Sequence, residues 1–90
     1  PKNHVKQYLE KFPLSALAMV GTLERNESIY GLIEDSNGGV HRVEAGDFMG
    51  DQRGQIERIE ETRIDITEIV ADGIGGWLRR PRSIELRGLD

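Results

Sequence analysis

Arg63-Ile64-Asp65-Ile66-Thr67-Glu68-Ile69-Val70 is the stretch that decides the fold class. Its first half alternates apolar and polar side chains residue by residue, the repeat of a half-buried β-strand rather than a helix. Ile64 and Ile66 face one way, Asp65 and Thr67 the other. Ile69 and Val70 interrupt the alternation, which predicts a bulge or burial from both sides near the strand's end.

Strand and turn signals continue upstream. Ile56 and Ile59 mark a strand whose irregular spacing predicts a bulge, and Glu60-Glu61-Thr62 reverses the chain into the next strand. Ser28 to Glu34 carries Ile29-Tyr30-Gly31-Leu32-Ile33, apolar enough to imply burial on more than one side. Asp35-Ser36-Asn37-Gly38-Gly39 is the strongest turn, because Asn-Gly supplies the positive φ angles of tight hairpins. Val40 to Val43 is a short strand carrying His41 and Arg42. Leu17, Met19, Gly21 and Leu23 are expected on one face of the first strand, before Arg25-Asn26-Glu27 turns the chain. Glu44-Ala45-Gly46-Asp47 forms a further turn ahead of Phe48-Met49-Gly50.

Downstream lies Asp72-Gly73-Ile74-Gly75-Gly76-Trp77-Leu78-Arg79-Arg80-Pro81, which joins three glycines to the single tryptophan and an arginine pair. A last strand is expected over Trp77 to Arg80, with Ser83 to Leu86 continuing it or forming a separate edge segment. Pro81 has no amide hydrogen for a ladder, so it belongs at an edge or an interruption. Six or seven short strands separated by Gly, Asn and Asp turns predict an all-β sandwich or a small barrel, which periodicity does not separate. Val5, Tyr8, Leu9 and Phe12 are spaced for one face of a short helix that ends before Pro13. Residues 1–12 are therefore a short helix or a tail ordered by a partner, residues 13–87 the β-domain, and residues 88–90 a C-terminal tail.

Ninety residues suffice for one domain with a small core. At 37% hydrophobic and 31% charged, the composition is that of a folded chain. The formal net charge of -4 argues against non-specific nucleic-acid binding, and the absence of cysteine removes disulfide and thiolate chemistry. No apolar run approaches the roughly 20 residues that span a bilayer, so membrane insertion by this stretch is not expected. A start at Pro1 rather than methionine reads as a processed or excised piece of a longer protein.

No residue set carries catalysis. Gly73, Gly75 and Gly76 lead into a strand with no following lysine, so they read as a structural turn and not a phosphate cradle. Trp77 is expected to be buried, between the sheets or against Pro81; the rival role is an exposed contact anchor beside Arg79 and Arg80. Asp65 and Glu68 are expected on opposite faces and solvated, not paired across a cleft. His4 and His41 lack a ligand pattern, and no metal or other cofactor is predicted. Tyr30, Phe48 and Trp77 as a stacking platform for single-stranded nucleic acid is the fold-based rival, and the acidic balance disfavours it. Charge is uneven: residues 57–72 are net -4, whereas Arg79, Arg80, Arg82 and Arg87 against Glu85 leave the tail at +3. Strand pairing between the two segments would neutralise them internally; divergent faces would make docking surfaces.

These residues also carry a family resemblance. Gly54-Gln55-Ile56-Glu57-Arg58-Ile59, Ile64-Asp65-Ile66-Thr67-Glu68-Ile69-Val70 and the Asp72–Pro81 run, in that order, resemble the periplasmic domain of the PilP family of type IV pilus assembly lipoproteins. Pro13-Leu14 through Met19-Val20-Gly21-Thr22-Leu23 and His41-Arg42-Val43 through Gly46-Asp47-Phe48-Met49-Gly50 fit the same pattern, so the resemblance covers residues 13–87. It implies a small β-sandwich of about seven mainly antiparallel strands in the periplasm. It also implies a lipid anchor on the full-length protein at the inner membrane, and no enzymatic activity. The implied partners are the periplasmic domains of the outer-membrane pilus secretin and inner-membrane assembly proteins of the PilN/PilO type. A secretin-docking domain of type II secretion is a more distant likeness. Arg79, Arg80, Arg82 and Trp77 are the expected protein contacts.

Overall fold

A computed structural model describes residues 7–88 of the chain. Seven strands follow in order: β1 (Ala18–Arg25), β2 (Ser28–Glu34), β3 (Val40–Val43), β4 (Phe48–Met49), β5 (Gly54–Glu60), β6 (Arg63–Ala71) and β7 (Trp77–Glu85). They form two antiparallel sheets, β1-β2-β3 and β4-β5-β6-β7, each in chain order. The result is a small all-β sandwich, one of the two architectures the turn spacing left open and the one the family resemblance implies. Before β1, two 3-10 turns span Tyr8–Lys11 and Leu14–Ala16. The predicted N-terminal helix is thus one short turn; residues 1–6, with Val5, and residues 89–90 lie outside the described part.

The core is the set of inward positions of both sheets. Met19, Ile33 and Val43 from the first sheet meet Met49, Ile56, Ile59, Ile64 and Ile66 from the second. Leu9, Leu14 and Leu17 plug one end of the sandwich from the N-terminal turns. That segment is tied down by backbone as well: Gly50 N–H donates to the Leu9 carbonyl at 3.0 Å, and Phe48 N–H donates to Gln7 Oε1 at 2.8 Å. Gly31 faces the second sheet at close range. A Cβ there would stand 2.7 Å from Ile64 Cδ1, so any larger residue requires the Ile64 side chain or the backbone to shift.

Several local features follow from single residues. Asn26 and Glu27 both adopt positive φ, giving the two-residue turn between Arg25 and Ser28 the twist that tight hairpins require. The ladder between β5 and β6 skips Glu57, the bulge predicted from the Ile56–Ile59 spacing. A second bulge was not foreseen: β1 skips Val20 in its pairing with β2. It reverses the side-chain alternation, so Met19 is buried while Leu23 pairs with Tyr30 on the outer face. The expectation that Met19 and Leu23 share a face fails for that reason.

Near the end of β6 one of the two expected outcomes fails and the other holds in part. Its ladder with β7 runs without a register shift from Arg63 to Ala71, so Ile69 and Val70 mark no bulge, but both are partly buried, on opposite faces of the strand. The inward alternation continues after Ile64 and Ile66, and its next member is Glu68. The apolar signal broke because a carboxylate occupies a core-facing position. β7 is one strand through Pro81, and it is the edge of its sheet, as proline requires. Beyond it the chain crosses to the other sheet: Leu86 N–H donates to the Thr62 carbonyl at 2.9 Å, and Arg87 N–H to the Met19 carbonyl at 2.8 Å. The two sheets are stitched at this corner alone among the described residues, so the sandwich does not close into a barrel.

Candidate protein-interaction surface

The β6–β7 hairpin gathers the residues singled out by sequence. Register alternation divides them between two faces. Trp77, Arg79, Pro81 and Ser83 pair with Ala71, Ile69, Thr67 and Asp65 and lie on the outer face of the sheet. Leu78, Arg80 and Arg82 pair with Val70, Glu68 and Ile66 and lie on the inner face. The three-stranded sheet does not cover that overhang, so Leu78 is exposed although it faces inward.

Trp77 is 64% exposed, which corrects the expectation of burial. It starts β7 beside the hairpin loop and points to the outer face, away from the core between the sheets. The Arg53 guanidinium sits 5.6 Å from its ring centroid, a cation–π arrangement. Beside this pair runs a shallow groove of about 340 Å³ whose lining includes Phe48, Ile69, Arg53, Arg79 and Glu57. Its apolar floor and arginine rim suit an anionic or aromatic side chain of a partner.

The loop at the tip is held by one carboxylate. Asp72 Oδ1 accepts from Ile74 N–H at 2.8 Å and from Gly76 N–H at 2.9 Å, and Asp72 N–H donates to the Gly76 carbonyl at 3.0 Å. The donation from Ile74, then that from Gly76, holds the Asp72 carboxyl below its ordinary value. Gly73 and Gly75 take φ of 87° and 91°, and a Cβ on Gly76 would meet Asp72 Oδ2 at 2.5 Å. The glycines thus let the backbone wrap one aspartate, and Ile74 is left 89% exposed at the apex.

The charge imbalance resolves in both expected ways. Glu68 is 2% exposed, not solvated as expected; its Oε1 accepts from Arg80 and stands 3.5 Å from Arg82 Nη1. Asp65, on the opposite face, pairs with Arg58 Nη2 at 3.3 Å and Arg63 Nε at 3.0 Å. Arg79 forms no ion pair among the described residues, and Arg80 and Arg82 share one carboxylate, so β7 keeps a positive surplus. Arg53, Ile74 and Leu78 were missed from sequence, and Phe48 was singled out only for nucleic-acid stacking. Ile74 alone left a signal there, as an isoleucine stranded among glycines; the others depend on which elements the fold brings alongside.

Other candidate chemistry dissolves in the structure. His41 Nε2 lies 2.6 Å from Asp35 Oδ2, and the same carboxylate accepts from Asn37 and Gly39 N–H, so this pair fastens a hairpin turn. No group of three or more metal-ligating side chains occurs among the described residues. Tyr30 lies on the outer face of the first sheet, under Arg42, whereas Phe48 and Trp77 belong to the second. They make no common stacking platform. No helix among the described residues is long and apolar enough to cross a membrane.

Comparison with known proteins places this surface in a context. The family model described as "Pilus assembly protein, PilP" matches residues 1–86, so it takes in the N-terminal segment that the sequence resemblance left out. The type IV pilus inner membrane component PilP of Pseudomonas aeruginosa is 45% identical over 86 residues, spanning 96% of this chain. The chain spans about half, 49%, of that relative's length. A solved domain of the pilus biogenesis lipoprotein PilP from Pseudomonas aeruginosa superposes with a TM-score of 0.88 at 45% identity, covering 96% of this chain and 98% of that one. A domain of the Neisseria meningitidis PilP pilot protein gives a TM-score of 0.78 at 32% identity, covering 98% of this chain and 77% of that one.

Proposed function

Since this chain belongs to the PilP family of pilus assembly proteins, we propose that it is a non-enzymatic periplasmic domain that links machinery at the two membranes. On one side stand inner-membrane assembly proteins of the PilN/PilO type, with the full-length protein held there by a lipid anchor. On the other stand the periplasmic domains of the outer-membrane secretin. The observation that carries this reading is the β6–β7 hairpin, which exposes Trp77 and Arg79 on its outer face, Leu78 on its inner face and Ile74 at its apex, with Arg79 in no ion pair among the described residues. Aromatic and arginine side chains dominate interface energetics, and an apolar cluster rimmed by charge marks a docking surface. Family membership supports a pilus secretin over one of type II secretion as the partner.

The test is a binding measurement at physiological salt with the secretin's periplasmic domains, the inner-membrane assembly proteins, and a single-stranded oligonucleotide. Binding to the secretin domains that Trp77→Ala and Arg79→Glu both weaken supports the reading. Tight binding to the oligonucleotide alone, or secretin affinity indifferent to both changes, rejects it.

A further inference from the structure

We propose that the free edge of β7, from Trp77 to Ser83, takes up an extended acidic segment of a partner protein as an added strand. This rests on the docking reading above for its location and goes further by naming the mode and the chemistry of the occupant.

Backbone polarity comes first. In an antiparallel ladder, alternate residues turn both N–H and C=O toward the neighbouring strand, and those between turn them away. Ile69 N–H donates to the Gln52 carbonyl at 2.9 Å, away from β7. Thr62 and Leu86, and Asp72 and Gly76, bond across the hairpin in the complementary phase. Leu78, Arg80, Arg82 and Ile84 therefore satisfy their backbone on β6. Trp77, Arg79, Pro81 and Ser83 turn theirs to the open side. Pro81 falls in the phase where its missing N–H costs β6 nothing. The first sheet reaches this edge only past its end, at Met19 and Leu86. From Trp77 to Ser83 a ready-made template remains.

Side chains then select the occupant. An added strand would set its residues against Arg79 on the outer face and against Arg80 and Arg82 on the inner face. Glu68 is shared by the latter two and Arg79 holds no ion pair among the described residues, so the strand must bring carboxylates. A second copy of β7 centred on Pro81 would set Arg80 against Arg82, which disfavours it as the occupant. Leu78 and Trp77 offer apolar contact at one end.

The probe is a capped peptide, Thr-Glu-Thr-Glu-Glu-Val-Val, whose carboxylates fall opposite Arg82, Arg80 and Arg79 in antiparallel pairing. A version with lysine for glutamate is the control. Trp77, the single tryptophan, reports binding by fluorescence, and amide hydrogen exchange reports its mode. Strand addition is expected to slow exchange at Arg79 and Ser83 while leaving Leu78 and Arg80, already bonded to β6, unchanged. Ser83→Pro removes one outward N–H without touching the β6 ladder or any charge, and is expected to weaken the acidic peptide about fivefold. Binding that leaves Arg79 and Ser83 unprotected, equal binding of the lysine peptide, or no binding at millimolar peptide overturns the proposal, the last meaning an edge merely guarded by Pro81 and its arginines. Secretin domains that bind with these amides unprotected would sink strand addition alone. Secretin domains that fail to bind, while the peptide behaves as expected, would sink only the assignment of partner.

Discussion

Arg80 closes twice on a single oxygen of Glu68, its Nε donating to Oε1 at 3.0 Å and its Nη2 at 2.8 Å. Glu68 continues the inward row of Ile64 and Ile66, so its carboxylate is withdrawn from water at the margin of the core. A buried carboxylate without a cation is costly, whereas the arginine, about half exposed, gives up little hydration to meet it. Arg80 is thus a structural residue before it is a contact residue.

Removal of that partner is expected to lower stability. Arg80→Ala strands Glu68 and costs about 1–3 kcal/mol, with the lower end set by how far Arg82 can take over. In a domain of this size each kcal/mol lowers Tm by about 4–8 °C. Arg82→Ala, which loses only a contact of 3.5 Å, is expected to cost less. A thermal melt in which Arg80→Ala matches the parent would show that the pair contributes nothing.

Arg79 supplies the complementary case. It lies on the outer face opposite Ile69 and holds no ion pair among the described residues, so Arg79→Glu is expected to shift stability by less than about 0.5 kcal/mol. If the proposed docking to secretin domains holds, its effect is expected there, as a lower on-rate and a weaker dependence on salt. Reversal of Arg80 cannot serve as that test, because it would set two carboxylates together at the core margin. Stopped-flow association at low and high salt separates the two residues; an unaltered on-rate would remove Arg79 from the encounter surface.

The strands were legible because Ile64 and Ile66 obey simple alternation, because Ile29 to Ile33 form a short apolar run, and because Asn-Gly and Asn26-Glu27 turns punctuate them. Glu68 was not legible, since a carboxylate at a core-facing position looks in one dimension like a solvated face. Nor was the bulge at Val20, which requires knowing the partner strand. Burial of Trp77 was a sound expectation for a lone tryptophan in a small core. It failed because the register of β7 on β6 sets Trp77, opposite Ala71, on the outer face of its sheet, and that register depends on the partner strand rather than on any local pattern. Arg53 joins Trp77 only through the fold, from the turn between β4 and β5.

Acid should act through Asp35. The His41 side chain, then the Gly39 and Asn37 amides, hold its carboxyl below the ordinary value of 3.8, against an opposing effect of burial. A folded-state value below the unfolded one stabilises the fold above about pH 4, and that stabilisation is lost as pH falls through the depressed value. Asp72 acts in the same direction through the Ile74 and Gly76 amides. Asp35→Asn keeps the acceptor for Asn37 and Gly39 but cannot titrate. Urea midpoints measured from about pH 6 to about pH 2 are expected to fall more steeply for the parent than for Asp35→Asn. Parallel curves would exclude Asp35 as a source of the acid sensitivity.

The close packing of Gly31 against Ile64 leads to a prediction that isolates one atom. A Cβ on Gly31 would stand 2.7 Å from Ile64 Cδ1 and 3.3 Å from Val43 Cγ2. Gly31→Ala is therefore expected to destabilise by about 1–3 kcal/mol through overpacking, although alanine in a strand otherwise gains on glycine. Ile64→Val deletes the very atom in conflict and by itself costs about 0.5–1.5 kcal/mol as a lost methyl. Combined, the two changes should cost less than their sum, because the methyl added from one sheet occupies space vacated by the other. A double-mutant cycle in urea measures the coupling, expected at about 1 kcal/mol in favour of the pair. Strict additivity would mean that the sheets separate to admit the new methyl instead of meeting at Ile64.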